Sequence, residues 1–459
     1  MISRSLEFAA IVARVKIRLF AGRLWIARVG AAATLLATLV LAGCGATLKA
    51  GPVVTVGPQT SSAPGGCAGT VLATLSSVLQ RVYREGVHGE RIGSAEYLIA
   101  HSEALRAAVE SGNTAAALLA ARALLKTGHL TDLSVTRGGQ PFVDVGGAAL
   151  APLHGTLTGT NGAPIASYAT SVWADEGFLI EATGIGQGLV ALRDGPSWIA
   201  EPGTRGVAAL RTATLGDEGT LTLGDEGTLT LEHVPYAFTS FPAEAYPSGA
   251  VRVYLLLPTS VIAPLCGHTS QDTIVNALKR VADLIYTGEL GQSAQKQVRR
   301  VQHNKALLEA VARREPGATE LAIKALLNQH IVRMRVSAGG QLLSDVGGPY
   351  VLAPVTAPLQ LHGRTIGGVV LSIQDDEGYL RLTRRLAGLD VLMYMNVDGV
   401  ASQLVKNSLG PAPGPALAAV PASGAYHYEG RSFRVFTVNA EAFPSGPLTI
   451  RVLVPLPYS

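Results

Sequence analysis

Three consecutive acids, Asp375, Asp376 and Glu377, follow one glutamine after the strand-like segment at 369–373. At the mouth of a buried strand such a run can hold a cation or the amine of a ligand. It can equally lie solvated, or cap the next helix by accepting backbone N–H bonds. Tyr350, Tyr379 and Arg381 add hydroxyl, aromatic and guanidinium chemistry to the same stretch. With Asp375 and Asp376 they form the expected ligand-binding set. Asp144 and Asp345 each stand before Val-Gly-Gly, where a carboxylate most often accepts backbone N–H bonds in a turn and otherwise contacts a ligand. His129 and His330 fall where a helical pattern gives way to a strand pattern, a position at which a histidine favours the helix C-terminus. Both read as structural.

The motifs of nucleophilic, metal and phosphate chemistry are missing. Pro247-Ser248-Gly249 and Pro444-Ser445-Gly446 lack the Gly-x-Ser-x-Gly elbow and read as turns. There is no His-Glu-x-x-His, no Gly-x-x-x-x-Gly-Lys and no Cys-x-x-Cys. No catalytic residue, metal ligand or cofactor is expected, and the chain reads as non-catalytic. Aromatic residues make up 5% of the chain, too few for a carbohydrate-stacking platform. Leu215–Thr222 is repeated at once as Leu223–Thr230, and its Asp-Glu-Gly spacing lacks the alternate acids of a calcium loop. It reads as an extended surface hairpin.

The chain states nearly the same text twice. The stretch 129–147 returns as 330–348 without a gap, keeping Gly-Gly-Gln and Asp-Val-Gly-Gly. Asp175-Glu-Gly-Phe-Leu179 returns as Asp376-Glu-Gly-Tyr-Leu380, and Ala243-Glu-Ala-Tyr-Pro-Ser-Gly249 as Ala440-Glu-Ala-Phe-Pro-Ser-Gly446. A period of about 200 residues is far longer than the ~20–50 of solenoid units, so these are two homologous domains, 67–260 and 261–459. Cys67 and Cys266 head the two copies. A disulfide between them is favoured over two buried thiols, given an oxidising compartment. Where the second copy has Tyr350, Asp375, Tyr379 and Arg381, the first has Ala149, Ala174, Phe178 and Ile180. If one copy binds, polarity favours the second.

The amino terminus gives the compartment. Arg4, Arg14, Lys16, Arg18, Arg23 and Arg28 face one acid, Glu7, and an apolar run at 29–40 leads to Leu41-Ala42-Gly43-Cys44. A basic segment, a short apolar core and small residues at the cut describe a secretory signal, here 1–43. The tetrapeptide resembles the lipobox of bacterial lipoproteins, which implies lipidation of Cys44, with 44–66 as a Gly/Ser/Pro-rich tether. An uncleaved anchor is the alternative. The expected location is the cell membrane, lipid-anchored on the extracytoplasmic face. The formal charge of +4 belongs to that signal, and the remainder is close to neutral. Such a chain offers no electrostatic footprint for nucleic acid.

Each copy opens on helical spacing, at 71–83, 95–109 and 115–126, then 274–286, 294–313 and 319–328. Gly138-Gly139 and Gly339-Gly340 stand between short apolar segments and predict hairpins. Strand patterns follow, closing at 251–257 and 448–454. The order predicts α+β. Gly363-Arg-Thr-Ile-Gly367 before a hydrophobic strand, and Phe443-Pro-Ser-Gly446 leading to Val454-Pro455, resemble the Cache domain, a PAS-like extracytoplasmic sensor. The resemblance implies, for each copy, an N-terminal helical segment packed on an antiparallel PAS/Cache-like sheet, small-molecule binding, and a membrane signalling protein as partner. A structural or protein-interaction lipoprotein without a pocket is the alternative.

Overall fold

The computed structural model describes residues 66–195, 197–200, 210, 225–288, 291–327, 331–348, 350–397, 400–411, 413–443 and 446–458. The expected signal, Cys44, the tether, the first half of the Leu215–Thr230 duplication, His330 and Ser445 lie outside the described residues. The fold is α+β. Helix α1, Cys67–His88, carries Val71, Leu72, Leu75, Val78, Leu79 and Val82 on one face, all buried. Helices α2 (Glu90–Ala100), α3 (Glu103–Ser111) and α4 (Thr114–Thr127) follow. The expected continuous helix at 95–109 is broken because Ser102 caps a new start, accepting from Leu105 N at 3.3 Å. The second copy breaks at the matching place, where Asn304 accepts from Leu307 N at 2.9 Å.

Strands β1 (Asp132–Arg137) and β2 (Gln140–Gly146) meet through Gly138 and Gly139 at φ 56° and 78°, a turn with both central residues left-handed, as the Gly-Gly signal predicts. Then come β3 (Ala149–Leu150), β4 (Leu153–Thr158), β5 (Pro164–Ser171), β6 (Trp173–Ala174), α5 (Asp175–Gly186), β7 (Leu189–Asp194), β8 (Ser197–Ala200), β9 (Glu226–Leu231), β10 (Val234–Tyr246) and β11 (Gly249–Pro258). These strands build two sheets, where the sequence led us to expect one. The first is β2-β1-β5-β4; the second is β6-β3-β10-β11-β7-β8 with β9 beside β10. Each copy therefore has an apical lobe, formed by the small sheet under α2–α4, and a basal lobe formed by the large sheet under α1.

The short α6 (Thr259–Ile262) leads into the second copy: α7 (Ser270–Gly288), α8 (Gln292–Gln302), α9 (Lys305–Ala312), α10 (Pro316–Leu327), β12 (Arg333–Ala338), β13 (Gln341–Gly347), β14 (Val351–Leu352), β15 (Val355–Leu361), β16 (Arg364–Ser372), β17 (Gln374–Asp375), α11 (Asp376–Ala387), β18 (Asp390–Val397), β19 (Val400–Asn407), β20 (Gly424–Tyr428), β21 (Arg431–Phe443) and β22 (Gly446–Pro455). Its sheets repeat the first copy's strand orders.

The apical lobes have separate cores, while the basal lobes share one. Val78, Leu79 and Val82 of α1 and Leu278, Val281 and Ala282 of α7 belong to a single buried cluster reaching both large sheets. Contacts across it are reciprocal. Arg280 on α7 donates to Gln187 Oε1 of the first copy at 3.0 Å. Its counterpart Arg81 on α1 lies against Gly388, where an added Cβ would fall 2.9 Å from the guanidinium carbon. Cys67 and Cys266 form a disulfide with Cα atoms 5.5 Å apart, tying the heads of the two helices. Because the core is common, Leu79→Ala should cost about 2–5 kcal/mol and lower one calorimetric transition that includes both basal lobes. A second basal transition left at its original temperature would show that the copies unfold independently.

Candidate ligand-binding site

In the apical sheets strand register, rather than sequence proximity, brings the polar side chains together. Ser134 pairs with Asp144 on one side and Ala169 on the other, and His154 pairs with Ala169. Asp144, Ser134, Ala169 and His154 thus form one row across four strands of the first copy. Thr136 and Ser167 form the adjacent pair. Against this face the basal hairpin brings Glu244, Ala245, Tyr246 and Pro247, and a groove of about 330 Å³ runs between the lobes. His154 Nε2 reaches Glu244 Oε1 at 2.7 Å across it.

Two strained glycines explain the Val-Gly-Gly motif and correct its reading. Gly146 sits at φ 115°, and an added Cβ would lie 2.4 Å from the Thr131 carbonyl oxygen. Gly347 repeats this at φ 135° against Val332. The glycines allow β1 and β2 to close at the crossing point, so Asp144 and Asp345 lie on strands and serve no turn. Asp345 receives hydrogen bonds from Arg333 Nε at 2.8 Å and Arg335 Nη2 at 2.7 Å. Burial works to raise its pKa, but those bonds and charges outweigh it and hold the carboxyl below the usual range. Asp144 has no such partners. The Tyr246 hydroxyl lies against it, and burial together with that carboxylate pushes the phenol up to about 12.

Asp132, two residues before Ser134 on β1, lies outside the groove lining. It is fully buried, and neither carboxyl oxygen has a hydrogen-bond partner of normal geometry. Burial raises its pKa to about 7, tempered by the backbone N–H of Ser171 and reinforced by Asp144.

The side chains expected to bind in the second copy are not gathered into one site. Asp375 caps α11, accepting from Gly378 N at 2.6 Å. Asp376 is buried, with its pKa raised by burial against the opposing charge of Lys406. Lys406 also pairs with Glu377 at 2.8 Å, so the acid run already holds a cation of its own. Tyr379 is fully buried, donates to the Ala282 carbonyl at 3.3 Å and packs edge-on against Tyr286. It is a core residue, matching Phe178 against Tyr83 in the first copy. Arg381 is exposed on the outer face of α11. Tyr350 packs against the shared core. Strand pairing aligns Val351, not Tyr350, with Ala149. His129 is exposed in a left-handed conformation after α4. Asp132, Ser134 and Tyr246 were missed by sequence reasoning, although period-2 alternation places Ser134 beside Asp132 on one face of β1.

Among the described residues no group of three or more His, Cys, Asp or Glu could hold a metal ion, and no helix is long and apolar enough to cross a membrane. No family model matches the chain, and no curated protein is significantly similar. Among solved structures, it is similar to the periplasmic domain of Vibrio cholerae LuxQ at 13% identity and TM-score 0.25, over 38% of this chain and 96% of that one. It is similar to the ligand-binding domain of Pseudomonas fluorescens chemoreceptor CtaA, in complex with L-serine, at 11% identity and TM-score 0.24, over 40% and 94%. The ligand-binding domain of Mlp24 with asparagine gives 11% identity and TM-score 0.25, over 43% and 99%. The ligands named belong to those proteins.

The Asp132 carboxyl predicts a pH signature. Its folded pKa is raised from 3.8 to about 7, so it opposes folding wherever the unfolded group is charged. The penalty is absent near pH 3, grows between about pH 4 and 7, and is complete above, where it amounts to about 4 kcal/mol. Asp132→Asn should raise Tm at pH 8 and leave it nearly unchanged at pH 3.5. An equal effect at both values would remove the titration from the account.

Proposed function

We propose that this chain is an extracytoplasmic, lipid-anchored protein that binds a small molecule without transforming it, using the groove between the lobes of its first copy. The observation that carries the reading is the contrast between copies. The first has an open groove floored by Ser134, Thr136 and Ser167. At the register-equivalent place the second has Arg333 and Arg335 folded onto Asp345 and stacked on Phe443, their guanidinium carbons 4.9 and 4.4 Å from the ring centre. One copy offers a site and the other fills its own. Helices leading into antiparallel sheets support a Cache-like sensor, and the basic segment ending in Leu41-Ala42-Gly43-Cys44 supports export and a lipid anchor. On this reading a membrane signalling protein is the partner.

A structural or interaction role without a pocket is favoured only by the second copy's filled position. Thermal shift of the full chain against amines, amino acids, organic acids and purines separates the two. A ligand at ~100 times its Kd stabilises by about 2.7 kcal/mol. Ser167 is exposed on the groove floor, so Ser167→Trp should fold normally and abolish the shift. A hit untouched by Ser167→Trp would remove the groove as the site, and silence across the library would favour the interaction protein.

A further inference from the structure

Resting on the groove reading, we infer that the first copy's site takes a linear organic cation, an amine or guanidinium on a methylene chain, with its charged end between Asp132, Asp144 and Tyr246. The second copy supplies the comparison. Arg333 pairs with Gly347 and Ser372 as Asp132 pairs with Gly146 and Ser171. Arg335 stands opposite Asp345 as Ser134 stands opposite Asp144. Phe443 pairs with Val351 as Tyr246 pairs with Ala149. This place in the fold therefore accommodates two guanidinium groups beside one carboxylate and over one aromatic ring, with Arg333 Nε and Nη2 each 2.8 Å from Asp345 oxygens. Charge-assisted, forked hydrogen bonds and ring stacking are the interactions such groups favour.

The first copy keeps the carboxylate, Asp144, and the ring, Tyr246. It replaces the two arginines by a second carboxylate and a hydroxyl, Asp132 and Ser134. No lysine or arginine lines the groove among the described residues. The buried Asp132 carboxyl has neither oxygen in a hydrogen bond of normal geometry, the backbone N–H of Ser171 being the one donor nearby. A buried, unpaired carboxylate is costly, and a diffusible cation placed where the arginines lie in the second copy would satisfy it. The row from Asp144 to His154 crosses three strand spacings, about 14 Å. That accommodates an extended chain whose far end meets the His154–Glu244 pair.

The groups that titrate or carry charge around Asp132 are Asp144 from β2, Tyr246 from β10, and, at the far end, His154 from β4 with Glu244. Cation binding requires Asp132 ionised, so affinity should fall as pH drops below about 7.

The test is titration calorimetry of the full chain with agmatine, putrescine and methylguanidinium, with uncharged butylurea as the control. Agmatine should bind at least tenfold more tightly than butylurea at pH 8, weaken about tenfold by pH 6, and lose at least tenfold in Asp144→Asn. Asp144 is exposed, so that variant keeps its fold. Equal binding of butylurea and agmatine, abolished by Ser167→Trp, would overturn the cation and leave the groove standing. Agmatine binding that survives Ser167→Trp overturns both, and failure of every cationic probe overturns the cation.

Discussion

The pairing of α1 with α7 is the constraint on which the rest of the molecule depends. Val71, Leu72, Leu75, Val78, Leu79 and Val82 are each at most 2% exposed, and Ala277, Leu278, Val281 and Ala282 are fully buried on the partner helix. Each large side chain contributes about 1.5–3 kcal/mol by leaving water. Ala277 and Ala282 belong to the same buried cluster. Neither helix could present this face to solvent, so neither basal lobe is complete alone. The seam also has the form of a two-fold interface, in which one patch meets its own copy. Arg81 meets the end of α11 and Arg280 meets the end of α5, both at left-handed caps, Gly388 at φ 65° and Gln187 at φ 54°. Duplication of one domain supplies such a self-complementary pair within a single chain.

Residues that serve the seam and the lobe crossing are held alike in both copies. Tyr83 accepts a hydrogen bond from Glu244 N at 2.9 Å, and Tyr286 accepts one from Glu441 N at 2.8 Å. Ser171 and Ser372 each donate to a carbonyl of the crossing strand, Leu150 and Leu352. Ala151 and Ala353 are both left-handed, at φ 56° and 52°. On the outward faces of the apical sheets that agreement ends, because no apical residue belongs to the shared core. Asp132 against Arg333 and Ser134 against Arg335 are opposite choices in one backbone frame. Packing constrains the frame, while the charge carried on it differs between the copies.

What was legible in the sequence follows the same division. The duplication, the Gly-Gly hairpins, the final strands and the helical openings all rest on local patterns, and the structure has them. The second lobe was hidden because the crossing strand Ala149–Leu150 is two residues long and β10 carries Pro235 and Pro242, which mask its alternation. The acid run at 375–377 drew attention as the densest chemistry in linear order, yet Lys406 and the cap of α11 account for it. The groove was invisible for the opposite reason. Its row draws one residue from each of four strands, and Asp132 and Arg333 become comparable only once register shows that they occupy one position. Asp144 was read as a turn residue because glycine pairs usually mean turns, whereas here they permit a close backbone crossing.

Glu244 connects the two halves of this account. Its side chain accepts from His154 Nε2 at the groove wall, in the tautomer or imidazolium that carries a proton on that nitrogen. Its backbone N–H donates to Tyr83 on α1, and its carbonyl accepts from Ala151 N at 2.9 Å, at the crossing between lobes. One residue thus touches the groove, the lobe junction and the seam helix. Tyr83 in turn packs edge-on against Phe178 and Phe241 in the shared core. A ligand shifts an equilibrium only by what it gains differently in two states. An occupant reaching the far end of the groove meets the His154–Glu244 pair, which is exposed and inexpensive to rearrange. The second copy keeps Glu441 on Tyr286 but places Thr356 opposite Val370 where the first copy has His154 opposite Ala169. The attachment to the helix is therefore duplicated, while the histidine that meets the glutamate belongs to the first copy.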